Sequence, residues 1–147
     1  MENGGNGMFN IRIEVRFRAG HRLLPPYNGK CNNVHGEGYT AIVEFERGFL
    51  DENGMVFDFG SIKTKVKNWI DENWDHRYIC SKEDGLGDVL EDYNQKVFRL
   101  ESNPTAENMA KYLYDLIKLS ITPLVKRVGI IESFEDSIAY YEEEKIK

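Results

Sequence analysis

Four side chains able to bind a metal or move a proton lie close together near the beginning of the chain: His21, Cys31, His35 and Glu37. His35 and Glu37 are two residues apart, so in a strand their side chains lie on one face and can converge. His21 joins them if the strand before it pairs with the strand that follows. Two imidazoles and a carboxylate form a catalytic zinc set that leaves a position for water or substrate. The alternative is a histidine that ends a strand beside a solvated Glu37.

Cys31 lies just before this group, in a loop rich in glycine and asparagine. A thiol beside a metal or an imidazolium has a lowered pKa and is a competent base or nucleophile. The alternative is a small buried apolar side chain, which is the commoner role of a free cysteine. Cys80 has no such neighbours and is assigned to the core. With only two cysteines the chain has no disulfide framework, and a reducing cytoplasm is its expected location.

Two further positions carry side chains suited to proton transfer or to ligand binding. Asp75 is adjacent to His76, and a carboxylate that orients an imidazole fixes its tautomer and supports proton transfer. The alternative is a histidine near a helix end beside a charge. Glu132 shares a strand face with Val128 and Ile130, and an inward carboxylate is costly without a partner. An aminopyrimidinone ring with paired N–H donors would satisfy Glu132, and so would an arginine or a lysine of the protein.

The periodicity of the apolar residues predicts the elements that position these side chains. Strict alternation over residues 9–19 predicts a strand, and a second strand is expected at about 39–46. Apolar residues at helical spacing after Ser61, a candidate N-cap, predict one helix. A second helix opens at NPTAEN, residues 103–108, with Asn103 or Thr105 as its cap, and ends before Pro123. Two last strands are expected near Val125–Glu132 and 137–142, joined by a turn at 133–136.

The order of these elements predicts an α+β fold with a four-stranded antiparallel sheet and two helices on one face. Residues 81–94 are acidic and contain glycine, which indicates a surface excursion, and KVFRL at 96–100 is a candidate short strand. Residues 1–8 are polar and glycine-rich, without the apolar segment of a signal peptide, and are predicted to be a flexible leader. Residues 9–147 are then one domain.

Charge and hydropathy exclude two classes of partner. The net charge of −6 over 147 residues argues against nucleic acid, whose binding depends largely on lysine and arginine. No apolar run approaches the roughly 18–20 residues needed to span a bilayer, so a membrane partner is not expected either. A local basic pocket for a small phosphorylated ligand is compatible with this composition.

The motifs together resemble the 6-pyruvoyl-tetrahydropterin synthase / 6-carboxytetrahydropterin synthase family. The matching segments occur in the family's order and cover nearly the whole chain apart from the leader and residues 81–94. They are FRAGH (17–21), KCNNVHGEGY (30–39), GMVFDFGSIK (54–63), DHRY (75–78), NPTAEN (103–108) and ES (132–133).

The resemblance implies a tunnelling fold in which trimers close a barrel and two trimers stack into a homohexamer, with active sites between subunits. It implies that His21 and His35 are zinc ligands and that Cys31 is the catalytic base. It implies a proton-relay pair at Asp75 and His76, and a pterin anchor at Glu132 assisted by Thr105.

One position departs from the family, which usually has His-Gly-His where this chain has His35-Gly36-Glu37. If Glu37 is the third ligand, the formal charge of a zinc centre falls from +2 to +1. The metal then polarises substrate oxygens less, and a carboxylate suits harder divalent cations better than a third imidazole does.

The activity that the resemblance implies is a metal-dependent lyase reaction on 7,8-dihydroneopterin triphosphate. The favoured product is 6-carboxytetrahydropterin, a precursor of deazapurines of the queuosine type. The alternatives are the 6-pyruvoyl product and an aldolase-like release of glycolaldehyde from dihydroneopterin. From other classes, a catalytically silent pterin-binding paralogue and a zinc hydrolase with Glu37 as general base stay open.

Overall fold

The computed structural model describes residues 7–133 and 137–144. The strands are β1 Phe9–His21, β2 His35–Arg47, β3 Tyr78–Ser81, β4 Val97–Leu100, β5 Val125–Glu132 and β6 Ile138–Tyr141. The helices are α1 Phe59–Asn73, α2 Gly85–Asp92 and α3 Ala106–Ser120, and a 3-10 turn spans Lys30–Asn32. Most of the predicted leader, and residues 134–136 of the predicted turn, lie outside the described residues.

The sheet has six strands in the order β4-β3-β1-β2-β5-β6, so the prediction of four strands is wrong. The four predicted strands pair antiparallel, as expected, but β3 joins β1 in parallel and β4 joins β3 in parallel. Each added strand has only four residues, and all four residues of β3 are buried. A strand buried on both faces lacks the period-two alternation that identified the longer strands. The candidate strand at 96–100 is confirmed as β4.

Residues 81–94, predicted to be a surface excursion, are mostly exposed or half-buried, but they contain the end of β3 and the whole of α2. Asp84 begins the helix, and its carboxylate accepts the Leu86 backbone N–H at 3.0 Å. Residues 7–133 and 137–144 therefore contain three α-helices, whereas two were predicted. The acidic residues that indicated a surface segment include the cap that starts α2 and residues on its solvent side.

Helices α1 and α3 pack on the same face of the sheet. The core is the single apolar cluster between these helices and the sheet. The helices contribute Ile62, Val66, Ile70, Met109, Leu113 and Ile117, and the central strands contribute Val15, Phe17, Tyr39, Val43, Phe45 and Ile130. Across the described residues, each helix is too short or too polar to traverse a lipid bilayer.

The helix caps differ partly from the predicted ones. Asp58 caps α1 by accepting the Ser61 N–H at 2.9 Å, so the predicted cap Ser61 lies inside the first turn. Thr105 caps α3 by accepting the Asn108 N–H at 3.1 Å. Asn103, the other candidate, instead exchanges two hydrogen bonds with the backbone of Leu24, at 2.8 and 2.9 Å. These bonds fasten the loop after β1 to the start of α3.

Candidate metal centre and active site

The pairing of β1 with β2 brings the three predicted metal ligands together. His21 lies directly opposite His35, and Ala19 lies opposite Glu37. The Nε2 atoms of His21 and His35 are 3.0 Å apart. The Oε1 atom of Glu37 is 3.1 Å from His35 Nε2 and 3.9 Å from His21 Nε2. Three atoms that can each donate a lone pair therefore surround one point, as a metal site requires.

The other nitrogen of each imidazole fixes its tautomer. His21 Nδ1 is 3.1 Å from the carbonyl oxygen of Pro104, and His35 Nδ1 is 2.7 Å from that of Asn33. Because a carbonyl oxygen only accepts, we assign the proton of each neutral ring to Nδ1, which leaves both Nε2 atoms as bare acceptors. Two acceptors facing each other beside a carboxylate oxygen repel one another unless a cation lies between them. Backbone carbonyls that orient ligating histidines in this way are usual around protein-bound metals.

Burial favours the neutral, ligating form of His21. The side chain is almost inaccessible, and burial is the main cause that lowers the pKa of His21, with a further contribution from His35. The Pro104 carbonyl and Glu37 oppose this shift without reversing it. The Tyr39 hydroxyl lies 3.1 Å from His21 Nδ1. Burial, reinforced by the charge of Glu132, raises the pKa of Tyr39, so that side chain is a neutral phenol. Two neutral imidazoles and one carboxylate suit a divalent cation.

A cavity of about 320 Å³ joins His21 to three other predicted site residues. His21, Cys31, Thr105 and Glu132 all line it. Glu132 pairs with Tyr39 across β5 and β2, so the sheet places its carboxylate at the cavity wall. One space thus contains a thiol, a histidine of the candidate metal site, a carboxylate and the start of α3. This combination can hold a small polar ring beside a base.

Backbone and amide hydrogen bonds hold the Cys31 loop against the end of β1. The Leu23 N–H donates to the Cys31 carbonyl at 2.8 Å. The side-chain amide of Asn32 donates to the carbonyls of Leu23, at 2.8 Å, and Tyr27, at 2.9 Å. The thiol is half-buried and unpaired with Cys80, which is fully buried as expected of a core residue. Burial raises the pKa of the Cys80 thiol to about 11.

Asp75 and His76 form the predicted pair, but they line a different cavity. His76 Nδ1 is 2.8 Å from Asp75 Oδ2, and Asp75 Oδ1 accepts the Arg18 N–H at 2.9 Å. Adjacent side chains meet here because His76 has a left-handed backbone with φ 58°. Burial would raise the pKa of Asp75, but the bonds from Arg18 and His76 outweigh it, and the pKa is lowered. The cavity beside this pair, about 1170 Å³, also contacts Glu37 but is not lined by Cys31.

Sequence comparison agrees with the geometry. The model of the 6-pyruvoyl tetrahydropterin synthase family matches residues 10–144. The chain belongs to this family. It is 44% identical over 108 residues to the 6-carboxy-5,6,7,8-tetrahydropterin synthase of Rickettsia bellii, covering 72% of this chain and 78% of that protein.

Solved structures show the same fold. An uncharacterized protein of Wolinella succinogenes superposes with a TM-score of 0.78 at 26% identity, over 95% of this chain and 100% of that chain. The 6-pyruvoyl tetrahydropterin synthase of Caenorhabditis elegans superposes with a TM-score of 0.68 at 25% identity, over 94% and 97% of the two chains. The described α+β architecture, with its curled sheet and three helices, is thus the fold of the 6-pyruvoyl tetrahydropterin synthase family.

Several residues of the site were not singled out from the sequence. They act through the backbone or through a hydroxyl group: Asn33, Tyr39, Pro104 and Ser133. All four lie within the family motifs, which was a usable signal. The contacts of Asn33 and Pro104 are made by carbonyl oxygens, which carry no sequence signature. Ser133 was visible only as the partner of Glu132 in the motif ES.

Proposed function

We propose that this protein is a metal-dependent 6-carboxytetrahydropterin synthase. The substrate is 7,8-dihydroneopterin triphosphate, and cleavage of its side chain releases acetaldehyde and triphosphate. Membership of the family supports a pterin synthase reaction. The relatives named as 6-carboxy-5,6,7,8-tetrahydropterin synthases favour the 6-carboxy product. The observation that carries the proposal is the cluster of three bare acceptor atoms on His21, His35 and Glu37, next to a cavity lined by Cys31 and Glu132.

The residues around the cavity take the following roles. Glu132 accepts N–H donors of the pterin ring, and the start of α3 at Thr105 holds the ring edge. The chemistry supplied by a divalent cation, zinc being the proposed one, is polarisation of the side-chain oxygens of the substrate. Cys31, as a thiolate, removes a proton from a side-chain carbon. His76, with its proton held on Nδ1 toward Asp75, exchanges a second proton at Nε2.

In this proposal the proton relay is shared between two chains. Cys31 and the Asp75–His76 pair line different cavities within one subunit, and we propose that a neighbouring subunit supplies the pair that serves each Cys31. The family resemblance implies the assembly that we propose, a homohexamer made of two trimers with each active site at a subunit interface. The same chain then contributes its metal ligands to one site and its relay pair to another. Residues 9–147 act as the single domain of this assembly.

Metal content and product mass test the proposal. The purified protein should contain about one zinc or other divalent ion per chain, and incubation with 7,8-dihydroneopterin triphosphate should yield acetaldehyde and the 6-carboxy product. A 6-pyruvoyl product, or glycolaldehyde from dihydroneopterin, would instead identify one of the other two lyase reactions. Pterin binding without turnover would identify a silent paralogue, and absence of metal would refute the metal-dependent reaction.

Cys31→Ala tests the role of the thiol. We expect turnover to fall by about 100-fold or more, the loss typical of a missing general base, with pterin binding nearly unchanged. The matched control is Cys80→Ala, which removes the other thiol, buried away from the cavity, and should keep turnover. Equal turnover in Cys31→Ala and the wild type would remove the role assigned to Cys31.

A further inference from the structure

Ser133 lies next to Glu37, the carboxylate that stands where the family usually has histidine, and is hydrogen-bonded to the backbone there. It follows the last residue of β5 and has a left-handed backbone with φ 48°, which is uncommon for a residue other than glycine. Its N–H donates to the Gly38 carbonyl at 2.5 Å. The hydrogen bond carries the pairing of β2 and β5 one residue beyond Glu132 and places Ser133 beside Glu37.

The Ser133 hydroxyl has a defined donor direction. Its Oγ lies 3.4 Å from the Gly38 N–H, which can only donate, and it also contacts Oε2 of Glu37. Since the Gly38 N–H uses a lone pair of Oγ, the hydroxyl proton points to the carboxylate. Glu37 is thereby held by one oxygen, and its other oxygen, Oε1, faces the two imidazoles at 3.1 and 3.9 Å.

We propose that Ser133 is a positioning residue that sets Glu37 as a single-oxygen ligand of the metal centre. The inference rests on the proposed function, because it concerns the same cation. A glutamate side chain has more rotatable bonds than a histidine, so fixing it as a ligand costs more conformational entropy. A hydrogen bond to the non-ligating oxygen offsets this cost, as partners of ligating carboxylates do in other metal sites. Glu37 can therefore stand where the family usually has histidine.

Metal affinity measures this role without relying on turnover. The dissociation constants for Zn²⁺ and Co²⁺ are measured by competition with a chromophoric chelator on the full chain. Ser133→Ala and Ser133→Gly should both raise them by about 10- to 100-fold, the usual effect of losing a hydrogen-bond partner of a ligand. Ser133→Gly separates the hydroxyl from the backbone, since glycine accepts a positive φ without strain. Ser120→Ala, at the exposed end of α3, is the control and should bind like the wild type.

Glu37→Ala shows whether Ser133 acts through Glu37. In that background Ser133→Gly should cause no further loss of affinity, because the carboxylate that it orients is gone. The visible spectrum of the Co²⁺ protein should also change in Ser133→Gly, as expected for an altered ligand set, and stay unchanged in Ser120→Ala.

Three results would overturn the inference. Affinity of Ser133→Gly within twofold of the wild type would exclude the role, and so would loss in Ser133→Ala alone, which indicates backbone strain. Losses from Glu37→Ala and Ser133→Gly that simply add would exclude action through Glu37. In each of these cases the wild type still binds metal and the proposed function stands. A wild type that binds neither ion would refute the metal centre itself.

Discussion

Replacing Asp84 should lower the free energy of unfolding, because its buried carboxylate joins three elements next to the metal ligand His21. Its carboxylate accepts hydrogen bonds from Arg22 Nε at 3.0 Å, from Arg22 Nη2 at 2.5 Å and from the Tyr78 hydroxyl at 2.7 Å. It also caps α2 through the Leu86 N–H. The side chain is fully inaccessible, with 0% exposure, and Arg22 follows His21 directly. The network therefore ties α2, β3 and the end of β1 together.

Asp84→Asn keeps the shape of the side chain but removes its charge. It also places an NH2 group, which donates, opposite groups that themselves donate hydrogen bonds. Breaking a buried ion pair from one side costs about 3–5 kcal/mol. The Arg22 side chain is 30% exposed and regains some hydration, so we expect the lower end of that range. A loss of about 3 kcal/mol in the free energy of unfolding corresponds to a fall of about 6–12 °C in Tm for a chain of this size. Urea and thermal denaturation at one protein concentration measure both quantities.

The matched control is Asp88→Asn in the same helix. Asp88 pairs with Arg99 at 2.7 Å, but its side chain is 80% exposed, and exposed ion pairs contribute about 0–1 kcal/mol. A loss of stability below 1 kcal/mol in Asp84→Asn, or equal losses in the two variants, would refute the reasoning from burial.

Lowering the pH should remove the difference in unfolding free energy between Asp84→Asn and the wild type. Burial alone would raise the pKa of Asp84, but the hydrogen bonds from Arg22, Tyr78 and Leu86 outweigh it, so the pKa is lowered. An acid with a lowered folded pKa stabilises the fold fully above its unfolded pKa, about 3.9 for aspartate, and loses that contribution as the pH falls through the folded value. The difference in unfolding free energy should be constant from about pH 5 to 8 and should shrink below about pH 4. A difference that grows in acid would contradict this assignment.

Substitutions at three other residues test the cap, the phenol and the relay. Thr105→Ala should lower stability by about 1 kcal/mol through loss of the cap of α3, whereas Thr105→Ser should not; equal stability of the two in urea would exclude a capping role. Tyr39→Phe should weaken zinc binding, measured by chelator competition, because the hydroxyl lies against His21; unchanged affinity would exclude that support. Asp75→Asn should lower kcat with little change in KM, because His76 loses its fixed tautomer; a change in KM alone would indicate a role in binding.

The longer elements of the fold were predictable because each carries its own period. β1 alternates strictly and α3 has an apolar stripe behind a capping threonine, so local patterns identified both. The short strand β3 was missed because burial on both faces removes the alternation of apolar and polar residues, and β4 was predicted only as a candidate strand. Helix α2 was missed because its charged residues obscured the apolar positions.

The sequence also predicted the three candidate metal ligands and that His35 and Glu37 share a face, since strand geometry alone sets the direction of alternate side chains. Only the tertiary structure decided that His21 lies opposite His35, because the register of two strands depends on the packing of their buried faces. It likewise decided that the carbonyls of Pro104 and Asn33 orient the two rings and that Ser133 holds Glu37. These contacts could not be predicted because most of them join residues from separate segments of the chain. The carbonyl oxygens are also present in every residue, so the sequence does not show which of them make contacts.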